Sequence, residues 1–168
     1  MKSFRFFTVV FFFILHLPLA YAEHEPYTST NDTGIGISIG SREGLSLYYR
    51  LDNSNFTQGL LSSAGSGNFY LTADYCSSHL NLIEDAEQIV FYYGAGVAGG
   101  SLRKKKLDWY SKDDKGSVSL LGGRIPLGIQ FFIPQTPLQI NFELGPTLYL
   151  APETHAVLDL LFTIRYLW

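Results

Sequence analysis

The segment from Leu138 to Leu150 alternates between apolar and polar side chains with a period of two. The two sets are Leu138, Ile140, Phe142, Leu144, Leu148 and Leu150 on one side and Gln139, Asn141, Glu143, Gly145, Thr147 and Tyr149 on the other. Successive side chains of a β-strand point to opposite faces. The segment therefore predicts a strand with one uniformly apolar face and one polar face.

The same alternation recurs along most of the chain and predicts eight strands. They cover residues 34–40, 45–51, 56–63, 68–77, 89–98, 121–133 and 138–150, followed by a last strand that ends at Trp168. For 56–63, the pattern does not show which of the two alternating sets of side chains faces inward. The long connection at 78–88 has no evident role. An antiparallel meander of eight strands can close on itself, which removes exposed edges, so we predict an all-β, up-and-down barrel.

The distribution of charge decides between a soluble barrel and a membrane barrel. A soluble, lipocalin-like cup has charged residues scattered over its outer face, whereas here the less apolar face carries small and amide side chains with six charges. These are Arg50, Asp74, Arg124, Glu143, Asp159 and Arg165, three of each sign. A narrow interior holds charges when they are paired. The uniformly apolar face carries no charge, as a lipid-facing surface requires.

Aromatic residues and the N-terminus agree with a membrane barrel. The apolar faces end in aromatics typical of interfacial girdles, namely Tyr49, Phe69, Tyr75, Phe131, Tyr166 and Trp168. Lys2 and Arg5 precede an apolar run and the triplet Ala20-Tyr21-Ala22, which predicts a cleaved signal peptide at 1–22. A retained anchor is the alternative, but the run is shorter than the ~20 residues of a membrane-spanning helix.

These features predict a tail at 23–33, a barrel at 34–168, and a location in the bacterial outer membrane with both termini in the periplasm. The net charge of −3 and the single basic cluster at 103–106 give little support to nucleic-acid binding. Cys76 is the only cysteine, so no disulfide within the chain is possible and a closed sheet is the expected source of rigidity.

Several segments resemble a family of small bacterial outer-membrane barrels of OmpA/OmpX type. They are "IGISIGSREGLSLYYRL" (35–51), "FYLTADYC" (69–76), "FYYGAGVAGG" (91–100), "GGRIPLGIQFFIPQTPLQINFELGPTLYLAPET" (122–154) and "IRYLW" (164–168). The resemblance implies an eight-stranded outer-membrane barrel and implies no particular activity. The ending also resembles the C-terminal aromatic signal that the barrel assembly machinery recognises. Tyr166 and Trp168 would supply it, with Trp in place of the usual final Phe.

Arg124, Glu143 and Arg165 lie at inward positions of three consecutive predicted strands. We therefore predict an Arg-Glu-Arg cluster inside the barrel. Such a cluster either gates or relays ions, or fills and rigidifies the interior. The second role is favoured because an eight-stranded barrel has little room for a pore.

An outer-membrane enzyme that modifies lipid A is the competing class. His155 lies in an outward turn beside Glu153 and Thr154, and Ser101 or Ser111 would have to approach it as nucleophile. Cys76 and His79 have half of the spacing of a metal site, but zinc needs three or four ligands. We expect no metal and no cofactor.

The most hydrophilic loop, Arg103 to Gly116, combines basic and aromatic residues and is predicted to face the cell exterior. Its candidate binding residues are Arg103, Lys104, Lys105, Lys106, Trp109 and Tyr110. They suit the phosphates of lipopolysaccharide, although a solvated loop is the simpler interpretation. The expected partners are outer-membrane lipid, lipopolysaccharide and, during insertion, the assembly machinery. The expected state is a monomer.

Overall fold

The computed structural model describes residues 32–63, 68–79, 88–104, 107 and 116–168. The predicted signal peptide and most of the predicted tail lie outside these ranges. The described residues form nine strands: β1 (Thr33–Gly40), β2 (Gly44–Arg50), β3 (Asn55–Ser63), β4 (Phe69–His79), β5 (Ile89–Arg103), β6 (Ser117–Arg124), β7 (Leu127–Phe132), β8 (Leu138–Ala151) and β9 (His155–Leu167). Within these ranges, no helix is long and apolar enough to cross a membrane.

The strands close into a ring with eight positions. Strands that follow one another in the chain pair antiparallel, except β6 and β7, and β1 also pairs with β9. β6 and β7 share one position, because both pair with β5 on one side and β8 on the other. The predicted eight-stranded antiparallel barrel is thus confirmed. The predicted sixth strand, 121–133, is interrupted at Ile125 and Pro126, where the proline nitrogen has no hydrogen to donate to a ladder.

The pairing register inclines the strands. One row of paired residues runs from Arg165 through the eight ring positions and returns to β9 at His155, ten residues earlier. With a rise of ~3.3 Å per residue and strands ~4.8 Å apart, this offset gives a tilt of about 40°. A row of paired residues therefore shifts steadily along the barrel axis as it passes from strand to strand.

The predicted faces agree with the observed burial. Outward residues of β1, such as Ile35 and Ile37, are exposed, whereas Ser38 on the inner face is buried. The structure also settles the orientation of β3, which the sequence left open. Phe56, Gln58, Leu60 and Ser62 point inward, and Thr57, Gly59, Leu61 and Ser63 point outward.

The connections alternate between the two ends of the barrel. The first described residues and the C-terminal residue lie at one end of the barrel, where the backbone N–H of Trp168 donates to the carbonyl of Thr33 at 2.9 Å. The β2–β3 and β7–β8 connections share this end, called here the termini end, as do the end of β4 and the start of β5. The β1–β2 and β8–β9 connections lie at the far end, and β6 continues into β7 within the wall. β4 extends to His79 and β5 to Arg103, so both strands are longer than predicted.

The interior contains two separate apolar clusters. The termini-end cluster comprises Tyr48, Phe56, Cys76, Val90, Tyr92, Phe132 and Leu167. The far-end cluster comprises Tyr70, Ala98, Leu102, Leu107, Leu120 and Tyr149. Along β4, Tyr70 and Cys76 of the two clusters lie on either side of Asp74, which is also buried. The polar middle of the interior is therefore bounded by apolar side chains at both ends.

Candidate functional site

The centre of the barrel holds an ion-paired group that we call the charged layer, formed by Asp74, Arg124, Glu143 and Arg165. Nη1 of Arg124 donates to Oδ2 of Asp74 at 3.0 Å, and its Nη2 donates to Oε1 of Glu143 at 2.5 Å. The three side chains are at most 3% exposed. Charges removed from water to this extent are tolerated only when they are paired and hydrogen-bonded.

Two inward glycines make these contacts possible. Gly96 lies between Asp74 and Arg124 in one row of the ladder, and Gly128 lies between Tyr92 and Glu143 in another. A Cβ at Gly96 would collide with the Asp74 carboxylate, and one at Gly128 would collide with the Tyr92 ring. Side chains two strands apart therefore meet across each glycine. In the second row the Tyr92 hydroxyl donates to Oε2 of Glu143 at 2.6 Å.

Arg165 is bound by neutral groups. Its Nε donates to the Ser46 hydroxyl at 2.9 Å, its Nη1 to Oε1 of Gln139 at 3.0 Å, and its Nη2 to Oε1 of Gln58 at 2.8 Å. The Nε2 of Gln58 in turn donates to Glu143. Of the predicted Arg-Glu-Arg cluster, Arg124 and Glu143 are in direct contact, whereas Gln58 of β3 lies between Glu143 and Arg165.

The other two predicted charges lie away from the centre. Asp159 is nearer the far end, where its Oδ1 is 3.5 Å from Nε of Arg42. The Arg42 guanidinium also lies 4.6 Å from the ring centroid of Tyr70. Arg50 is half-buried at the mouth of the termini end, at the last position of β2. The six predicted residues thus form three groups at different depths.

The charged layer links strands from most of the circumference. Side chains of β2, β3, β4, β5, β6, β8 and β9 take part in it through the hydrogen bonds given above. Its four charges consist of two arginines and two carboxylates, so the layer is balanced. Because an apolar cluster lies on each side, a water path along the axis has to cross both clusters.

Sequence reasoning missed Gln58 as the residue that joins the two halves of the layer. The inner face of β3 carries Phe56 and Leu60, and its outer face carries Thr57 and Gly59. Because Gln58 and Ser62 also point inward and Leu61 points outward, both faces of β3 are mixed, and the alternation did not show which face is the inner one. By contrast, Tyr92 and Gln139 are inward residues of predicted strands, and the alternation alone places them on the inner face.

The predicted surface-loop residues are only partly described. The backbone N–H of Arg103 donates to Oδ1 of Asn68 at 2.7 Å, and that of Lys104 donates to the Gly116 carbonyl at 3.1 Å. The second bond joins the two ends of the loop at the far end of the barrel, and the first connects the start of the loop to the residue before β4. Lys105, Lys106, Trp109 and Tyr110 lie outside the described residues.

The last residues of the chain alternate as predicted between the two faces. Tyr166 and Trp168 point outward and are about half exposed, and their stacked rings have centroids 6.5 Å apart. Leu167 between them is buried in the termini-end cluster. The proposed role of the two aromatics in assembly stays a prediction.

The residues considered for enzymatic or metal chemistry are not brought together. Ser101 in β5 and His155 in β9 are separated in the ring by the β6/β7 position and by β8, and Ser111 lies outside the described residues. Cys76 faces the lumen, whereas His79 is three residues further along the same strand and so points to the opposite face. In the described ranges, no group of three or more His, Cys, Asp or Glu side chains could hold a metal ion.

No protein-family model matches the chain, and no curated protein is similar to it in sequence. Among solved structures, the crystal structure of Neisserial surface protein A (NspA) is similar, with 11% sequence identity and a TM-score of 0.44. The similarity covers 82% of this chain and 94% of that one. The fold assigned to this chain rests on its own strand pairing.

Proposed function

We propose that this protein is an integral outer-membrane β-barrel of OmpA/OmpX type whose closed interior serves a structural or surface-interaction role and not a pore. The main support for this proposal is that the outer face of the barrel is apolar, whereas the inner face carries charged and amide side chains. Each of the nine strands exposes at least one large apolar side chain on the outside, as Ile37, Leu71, Val97, Leu121 and Ile129 illustrate.

An apolar surface of this extent is incompatible with water. Soluble monomers rarely expose a continuous apolar patch larger than a few hundred Å², whereas here such side chains surround the barrel. Hydrocarbon accepts this surface, and the closed ladder leaves no strand edge that lipid would have to solvate. The strands of this closed ladder are the proposed membrane-spanning segments.

The interior supports a closed barrel. Arg124 forms direct ion pairs with Asp74 and Glu143 inside the lumen, and an apolar cluster lies toward each end. Conduction needs a continuous hydrated path, which this packing opposes. We expect the protein to give no steady channel current in planar bilayers at the potentials used for porins.

The far end of the barrel is proposed to face the cell exterior. This orientation places both chain ends in the periplasm and the 103–116 loop outside, where Arg103 and Lys104 begin a basic segment. Lipopolysaccharide phosphates are the proposed ligands of this loop, because Lys and Arg bind phosphate by charge-assisted hydrogen bonds. The monomeric state and recognition by the assembly machinery belong to the same proposal.

The test combines location, folding and activity. After expression in a Gram-negative host, we expect the protein in the outer-membrane fraction, with faster migration on a gel before boiling than after it. Recovery of a freely dissolved periplasmic protein would contradict the proposal. Steady conductance in planar bilayers would contradict the closed interior, and a mass change in lipid A would indicate the enzyme class instead.

A further inference from the structure

A small cavity lies inside the mouth of the termini end, just beyond the charged layer. Its inner walls are formed by Tyr48, Arg50, Phe56, Val90, Gln130 and Phe132, and its volume is about 20 Å³. About 10–15 Å³ is enough for one water-sized particle. The cavity therefore has room for one water molecule or one monatomic ion, but not for a phosphate or a sugar.

Two polar groups in this wall have hydrogen atoms without an acceptor. The side chain of Gln130 is buried, with the residue only 1% exposed, and its Nε2 has no hydrogen-bond partner among the described residues. The Nε atom of Arg50 is also buried and has no hydrogen-bond partner among the described residues. Both atoms are donors only, and buried donors without an acceptor are costly. An acceptor bound inside the cavity would satisfy both donors.

The groups that face this cavity favour an anion, because its two unpartnered buried atoms are donors. Of the ion pairs formed by the described residues, none includes Arg50. Asp52 also lines the cavity, but its Oδ1 accepts the backbone N–H groups of Ser54 and Asn55, and its Oδ2 accepts the Asn55 side chain at 2.9 Å. The carboxylate is therefore engaged by its own turn. A cation would meet donors and a guanidinium, whereas an anion would be bound by both.

We propose that the mouth cavity binds one monatomic anion of the size of chloride. The Arg50 guanidinium supplies the charge and the Gln130 amide supplies a second donor. The apolar side chains of Phe56, Val90 and Phe132 limit access of water and so strengthen both interactions. The bound anion accepts hydrogen bonds from both buried donors and so stabilises the closed interior. This site is independent of whether the outer surface contacts lipid.

The experiment uses the protein folded in detergent micelles. The apparent melting temperature is measured in sodium chloride, sodium bromide and sodium gluconate at equal ionic strength. An anion present at ten times its Kd raises the folding equilibrium constant about elevenfold, which corresponds to a rise in Tm of a few degrees for a chain of this size. We expect a saturable rise with both halides relative to gluconate, and an anomalous bromide peak in the cavity of crystals grown in bromide.

Two variants and a control locate the effect. Arg50→Gln removes the charge, and Gln130→Glu places a carboxylate in the same cavity wall as Arg50, in nearly the same volume. Both are expected to abolish the difference between halide and gluconate. Arg42→Gln removes an arginine at the far end of the barrel, away from the cavity, and is expected to leave this difference unchanged. Equal melting temperatures in all three salts, water alone in the cavity, or a halide effect that persists in both variants would each overturn the proposal.

Discussion

Phe142 and Glu143 are neighbours on β8 but face different media. Phe142 is 56% exposed on the outer face, and Glu143 is 3% exposed on the inner face. The outer side chain needs only apolar surroundings, whereas the inner one is bound by Arg124, Gln58 and Tyr92. A single strand therefore meets two requirements. Its outer side chains need an apolar solvent, and its inner side chains need specific partners.

The two faces should therefore tolerate different changes. An outer residue can be replaced by another apolar residue at little cost, because lipid adapts to its shape. An inner residue of the charged layer has fixed partners whose donors are left buried when it is removed. The following substitutions test this difference, beginning with the one expected to have the largest effect.

Glu143→Ala removes the carboxylate that binds Arg124, Gln58 and Tyr92. Breaking a buried pair by deleting one partner costs about 3–5 kcal/mol, and we expect a loss of this size in the free energy of unfolding in lipid vesicles, measured by urea titration. Glu43→Ala, at an exposed position of the β1–β2 turn, is the control. Parental stability of Glu143→Ala would contradict the assignment of the charged layer.

Phe142→Arg tests the outer face at the adjacent position. A lipid-exposed arginine near the bilayer midplane costs about 2–4 kcal/mol, and the substitution also removes the contact with the Phe162 ring, 4.8 Å away between centroids. Phe142→Leu is the matched variant and should cost less than about 1.5 kcal/mol. Equal stability of the Arg and Leu variants in vesicles would show that this face does not meet hydrocarbon.

Gly96→Ala tests whether the ion pair needs the space above an inward glycine. Its Cβ would collide with the Asp74 carboxylate and the Ala73 carbonyl, so we expect a loss of about 1–3 kcal/mol, as for other overpacked sites. Gly123→Ala is the matched control on the outer face, where the nearest atom to an added Cβ is 3.9 Å away. Similar unfolding midpoints for the two variants would refute this use of glycine.

Asp159→Asn tests the outlying pair with Arg42. The pair is longer than those of the charged layer, at 3.5 Å, and the Arg42 side chain is 18% exposed. Water and the Tyr70 ring therefore share in binding the arginine, and we expect a loss of about 1 kcal/mol or less. A cost close to that of Glu143→Ala would mean that depth in the lumen does not set the strength of these pairs.

Asp52→Ala tests a charge that contacts neither lipid nor the charged layer. Hydrogen bonds from the Asn55 side chain and the backbone of the turn lower the pKa of Asp52 below its usual value. A depressed pKa adds stability above the unfolded value of about 3.9 and loses it as the pH falls through the folded value. At pH 7 we expect a surface-sized effect, below about 0.5 kcal/mol. The difference from the parent should vanish in acid, and a difference that grows on acidification would contradict this sign.

The sequence by itself determined the number of strand positions and the polarity of the wall. Period-two alternation is a local property, so Leu138 to Leu150 and the last strand reveal their faces without knowledge of any partner. Where the local pattern is weak or reversed, it fails. β3 carries Phe56 inside and Thr57 outside, and only its pairing with β2 and β4 set its orientation.

The tertiary structure decided which inner side chains meet. Arg165 binds Gln58, and Asp159 pairs with Arg42, although the sequence grouped both with other charges. These contacts depend on the pairing register, on the ten-residue offset of the closed ladder, and on glycines that let side chains reach past one strand to the next. Alternation assigns a side chain to a face, but its height on the wall and its partner follow only from the closure of the ring.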